Sequence, residues 1–170
     1  MYIQLFSIID FRDKIAIYVY FTGGIMMFTF TKDCLIGIEE IDEEHRRLFE
    51  LIESTDVALK TATDPVGHAL LLINELKQYA VNHFSHEENY MESIDDPELP
   101  RQKKEHAAFL EKVNSYSFNS VSEESAKDII LDLLEYLSKW LMSHILGSDI
   151  LIGQFKKNEK PVVPVFTAEF

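Results

Sequence analysis

Between Ile41 and Ile145 apolar residues recur every three or four positions through four successive stretches, and each stretch sets one histidine on its apolar face. That period is the mark of amphipathic helices. The first is expected from about Asp42 to Lys60, with Ile41, His45, Leu48, Ile52 and Leu59 inward and Asp42 as the N-cap. The second runs from Pro65 to about Met91, with Asp64 capping and Pro65 at the first helical position. Its inward stripe is Ala69, Leu72, Ile73, Leu76, Tyr79, Ala80, His83, Glu87 and Tyr90, and Asp95-Asp96-Pro97 ends it. The third opens near Pro97 to Pro100 and reaches about Tyr116, with Gln102, His106, Phe109, Leu110 and Val113 inward. A Ser- and Asn-rich loop follows. The fourth runs from about Glu123 to Phe155, with Ile130, Leu133, Leu134, Leu137, Trp140, Leu141, His144 and Ile145 inward. Four such helices with short loops predict an all-α, up-down-up-down four-helix bundle over residues 28–155. Pro161 and Pro164 cannot continue a helix, so residues 156–170 are read as an extended tail.

Residues 1–27 stand apart as an N-terminal extension. Ile15 to Phe30 is apolar but broken by Thr22, Gly23, Gly24 and Thr29, and it falls short of the ~20 apolar residues of a membrane helix. Mixed charges at Asp10, Arg12, Asp13 and Lys14, with no small-residue cleavage site, disfavour a signal peptide. The expectation is a short apolar segment, or an upstream extension of a chain whose translation starts at Met26 or Met27. A net charge of −13 argues against nucleic acid, whose phosphates need a positive footprint. Cys34 is the only cysteine, so no internal disulfide supports the fold, which is compatible with a reducing, cytoplasmic setting.

The chemistry lies in where the imidazoles fall. His45, His83, His106 and His144 sit on the apolar stripes of four different helices, and a bundle turns those stripes toward its axis. A single histidine on an apolar face is more often a core residue satisfied by one neighbour. Four of them, with carboxylates beside them, point to a metal centre. Glu87 follows His83 by one helical turn, so both face inward. Asp149 follows His144 by five residues, off the ideal face, and needs a bent or loosened last turn that Gly147 would ease. Buried carboxylates are costly unless paired or bound to metal. Bridging carboxylates hold two cations roughly 3.5–4 Å apart. Imidazole and carboxylate suit Fe, Mn and Zn alike, so the residues alone argue for a dinuclear transition-metal site and no further.

The remaining polar residues read more blandly. His86 and His68 are expected at the surface, and Glu88 and Glu44 on solvated faces. Asp42 and Glu105 flank ligand positions and are candidates to accept from an imidazole N–H, with capping or surface roles the plainer reading. Leu48, Phe49, Phe84, Phe109 and Trp140 are expected to wall the site and exclude water.

Four stretches carry a resemblance: IGIEEIDEEHRRLFELI at Ile36 to Ile52, YAVNHFSHEENYM at Tyr79 to Met91, QKKEHAAFLEKV at Gln102 to Val113, and WLMSHILGSD at Trp140 to Asp149. Together they resemble the hemerythrin family in its bacterial form, over about Phe28 to Phe155. The resemblance implies two non-haem irons. His45 and His83 would hold the iron with the open position, His106 and His144 the other, and Glu87 and Asp149 would bridge them. It implies dioxygen as the ligand, with one electron from each iron and no substrate consumed. One position departs from the family: its third helix offers His-x-x-x-His, where this chain has Gln102-x-x-x-His106. Three outcomes are open: Gln102 ligates through its amide oxygen, water or an anion takes the place, or the second iron binds poorly; the first two are favoured.

The expected function is therefore reversible dioxygen binding or sensing, as carrier, store or sensor, and not catalysis, since no general acid or base is legible. The alternatives are a di-iron redox enzyme handling peroxide or nitric oxide, or a bundle whose metal site is degraded at Gln102. No protein partner is legible, and no membrane association is expected.

Overall fold

The computed structural model describes residues 5–10, 15–22, 25–118 and 121–158. The chain divides into two compact units, Met1–Arg46 with Glu135–Phe170, and Arg47–Leu134. The first long helix, α1 (Glu39–Thr61), and the fourth, α4 (Glu123–His144), each contribute to both.

The second unit is a four-helix bundle. It contains the later part of α1, all of α2 (Pro65–Ser93) and α3 (Leu99–Ser115), and the start of α4. Each buries much of its expected stripe, with Leu59, Leu72, Tyr79, Tyr90 and Leu110 only half-buried; the buried apolar residues are Leu48, Leu51 and Ile52 from α1, Ile73, Leu76, Ala80 and Phe84 from α2, Phe109 and Val113 from α3, and Ile130, Leu133 and Leu134 from α4. Each large apolar side chain so buried contributes roughly 1.5–3 kcal/mol relative to exposure. The expected start of α2 is observed: the Asp64 side chain accepts from Gly67 N at 3.0 Å, and Pro65 opens the helix. At the α2–α3 turn, Asp95 adopts a positive φ of 53° and Asp96 Oδ1 accepts from Glu98 N at 2.9 Å. Burial pushes the Asp96 carboxyl up, while that hydrogen bond pulls it down.

The first unit holds two departures from expectation. Residues before the bundle form an antiparallel sheet of β1 (Leu5–Asp10), β2 (Ile15–Thr22) and β3 (Ile25–Thr29), in the order β1-β2-β3. Leu5 lies opposite Tyr20 and Asp10 opposite Ile15, and Tyr18 lies opposite Thr29 in the second pair. The run IAIYVYFT is rich in β-branched and aromatic residues, and two glycines separate it in sequence from the next strand, the composition two-residue hairpins favour. The expected boundary at residue 28 thus falls inside a strand. Among the described residues, no helix is long and apolar enough to cross a membrane.

The second departure is at α1, which starts at Glu39. Asp42 is not its N-cap. Its carboxylate reaches back to accept from Ile36 N at 2.7 Å and Gly37 N at 3.1 Å, tying the lead-in segment to the first turn. The last helix is interrupted where the His144–Asp149 spacing calls for it: α4 gives way to a π-turn at Ile145–Asp149, and then α5 (Ile150–Lys156). Gly153 of α5 lies directly against the Ile36 backbone carbonyl. Residues 159–170, most of the expected tail, lie outside the described residues.

Candidate metal centre

In the first unit the chemistry gathers at Asp149. Its Oδ1 lies 3.1 Å from His144 Nε2 and its Oδ2 lies 3.3 Å from His45 Nε2. All three side chains are buried, His45 and Asp149 completely. The π-turn is what makes this possible. In an α-helix a residue five positions on lies well round the cylinder, whereas the wider π-turn closes after about five residues. His144 and Asp149 bracket that turn and share one face. The loosened turn that the five-residue spacing demands is therefore present, at the expected place. The indole of Trp140 stacks on His144 with ring centroids 4.3 Å apart. His45 is placed by the first turns of α1, which Asp42 anchors to the preceding segment.

In the second unit the chemistry gathers at Glu87. It is fully buried, and its Oε2 lies 3.2 Å from His106 Nε2. His83, one turn earlier on α2, presents a ring nitrogen within 4.8 Å of a Glu87 oxygen. Gln102 and His106 lie one turn apart on α3, and both are buried, Gln102 at 0% exposure. Phe84 lies flat on the His106 ring, with centroids 4.0 Å apart and planes 7° apart, and Phe109 closes edge-on against Phe84.

One partner escaped the sequence reading. Glu88, expected on a solvated face, lies with Oε1 2.8 Å from His106 Nδ1 and is only 25% exposed. Glu105, a candidate for such a role, instead pairs with Arg101 Nη1 at 2.6 Å. Only the hydrophobic alignment of α2 with α3 could have pointed to Glu88. Its own helix face does not. His86 and His68 are exposed, as expected.

Each unit therefore holds buried imidazoles beside a buried carboxylate, residue types that ligate metals. A carboxylate whose two oxygens face two different imidazoles, as Asp149's do, is disposed to bridge. The donors are nitrogen and oxygen throughout, the set that suits iron, manganese and zinc. Cys34 does not join them. It is buried elsewhere with Sγ 3.9 Å from Met142 Sδ, and burial pushes its thiol up, so it stays protonated and a poor ligand.

Residues 36–154 match the family model described as the hemerythrin HHE cation binding domain. The chain belongs to the hemerythrin family. Among curated hemerythrins it is 36% identical to a bacteriohemerythrin of Clostridium acetobutylicum over 125 residues, covering 72% of this chain and 96% of the relative. It is 34% identical to a bacteriohemerythrin of Stenotrophomonas maltophilia, over 69% of this chain and 73% of that one. A hemerythrin-like protein of Naegleria gruberi is 24% identical, over 72% of this chain and 88% of its own length. As a hemerythrin, the chain is a non-haem iron-binding protein, and the matched span contains every histidine and carboxylate of both clusters.

Proposed function

We propose that the chain holds a pair of non-haem irons, and that this centre binds dioxygen. His45 and His83 would serve one iron, His106 and His144 the other, with Glu87 and Asp149 bridging. The observation that carries this reading is Asp149, a buried carboxylate with one oxygen directed at each of two imidazoles. Two ferrous ions would supply one electron each to a dioxygen molecule without consuming a substrate. The chain's own residues do the rest. Nε2 of His45, His106 and His144 is the nitrogen turned toward carboxylate, so those rings would ligate through Nε2. Phe84 and Trp140 cover the faces of His106 and His144, which holds the rings and keeps water off them.

The test is anaerobic loading with ferrous iron, metal counting, and a visible spectrum on admitting and then removing oxygen. Two irons per chain and a colour that bleaches on deoxygenation support a carrier or store. A single iron, or no oxygen-dependent band, would overturn the proposal.

Gln102 favours a second reading. A fully buried amide stands where the family places an imidazole, so one iron would keep a weaker oxygen donor or an exchangeable position. That composition suits redox handling of peroxide or nitric oxide, or sensing through rapid oxidation, more than storage. The Gln102→His variant is expected to hold the second iron at least on the order of tenfold more tightly, the scale set by losing even an outer partner of a metal ligand. It should also oxidise more slowly in air. Metal titration and the decay of the oxygenated spectrum measure both.

A further inference from the structure

The least expected contact in the second unit is between α2 and α3. Glu88 Oε1 lies 2.8 Å from His106 Nδ1, while His106 Nε2 faces Glu87 Oε2 at 3.2 Å. Phe84 covers the same ring face to face at 4.0 Å. The imidazole thus meets Glu88 at one nitrogen and Phe84 on one face, and turns its other nitrogen toward Glu87, all three residues of a single helix.

We propose that Glu88 is a positioning residue for His106. Its carboxylate accepts the Nδ1–H proton, which commits the ring to the tautomer whose Nε2 lone pair is available to a metal. A carboxylate behind a ligating imidazole also raises its basicity. The arrangement matters more in this chain than in one with two histidines on the third helix, because Gln102 leaves His106 as the sole imidazole of α3. With no second ring to share the load, any rotation of His106 would cost α3 its only nitrogen ligand. Glu88 is well suited to the task. At 25% side-chain exposure it lies at the edge of the core, while His106 at 2% exposure is shielded from competing water. This inference rests on the metal-binding reading above.

The test compares wild type with Glu88→Ala and Glu88→Gln, loaded with zinc as a diamagnetic stand-in for iron. Nitrogen–proton spectra of the wild type are expected to show a solvent-protected His106 Nδ1–H. Glu88→Ala should lose that protection and bind zinc and ferrous iron roughly 10–100-fold more weakly. Glu88→Gln, which keeps an accepting oxygen but no charge, should retain the Nδ1–H and fall between. Thermal unfolding of the metal-free proteins should barely differ, because Glu88 is partly exposed and its removal opens no core cavity. Wild-type protein that binds metal, with Glu88→Ala unchanged in affinity and in the Nδ1–H signal, would overturn the positioning role. Equal losses in metal-free stability and metal affinity would overturn it too, as a packing effect. Wild-type protein that binds neither metal would instead sink the metal-binding reading itself.

Discussion

If the chain holds two irons as proposed, an Asp149→Ala variant is expected to lose the pair, retaining a single ion or none, while its metal-free form stays folded. Asp149 is fully buried and faces both His45 and His144, so no neighbouring water replaces it as a bridge. Metal that binds only the folded chain stabilises it by about 4 kcal/mol when free metal exceeds its dissociation constant a thousandfold, and the variant forfeits that linkage. The metal-free comparison runs the other way. A buried carboxylate is itself costly, so removing it relieves part of what its lost contacts cost. Metal-free stability should therefore move by no more than ~1–2 kcal/mol. Elemental analysis with calorimetry, each with and without metal, separates the two effects. Full metal occupancy in the variant would refute the bridging assignment.

A Gly153→Ala variant is expected to be the most damaging change away from the metal ligands. A Cβ there would stand 1.9 Å from the Ile36 carbonyl oxygen and 2.9 Å from its carbon. The obstacle is backbone, and it cannot swing aside, because Asp42 holds Ile36 and Gly37 by their amides. Helix propensity would favour alanine by up to ~1 kcal/mol. Overpacking against fixed backbone costs typically ~1–3 kcal/mol, at the upper end here, and it wins. For a chain of this size a net loss of about 2 kcal/mol lowers Tm by roughly 4–8 °C. Gly147→Ala is the control: its Cβ would meet nothing within 4 Å, so Tm should hardly change. Thermal unfolding of both variants checks the pair. Equal Tm values would show that α5 does not rest on Ile36 as described.

Most of the helical architecture was legible because burial imposes a period. Ile73, Leu76 and Ala80 could face inward only if helical, and Asp64-Pro65 announced where α2 begins. The five-residue step from His144 to Asp149 even foretold the distortion between them. The N-terminal sheet was not legible. A short apolar run such as Ile15–Thr22 satisfies a strand, a buried helix or a fragment of membrane helix equally well, and only pairing with neighbours chooses. Asp42 was misjudged for a related reason. Its place at the head of an apolar stripe looks like a cap, yet the backbone groups it serves lie upstream, where no local pattern reveals them.

The amino-acid sequence by itself determined the long helices, the family, and the inward faces of His45, His83, Glu87, His106 and His144, because each follows from spacing along one chain and from the cost of exposing apolar surface. Tertiary structure alone decided which atoms meet. The turn of Asp149 toward two imidazoles and the pairing of Glu88 with His106 depend on a π-turn and on the contact of α2 with α3. A hydrogen bond is decided within a few tenths of an ångström, and helical periodicity carries no information at that scale.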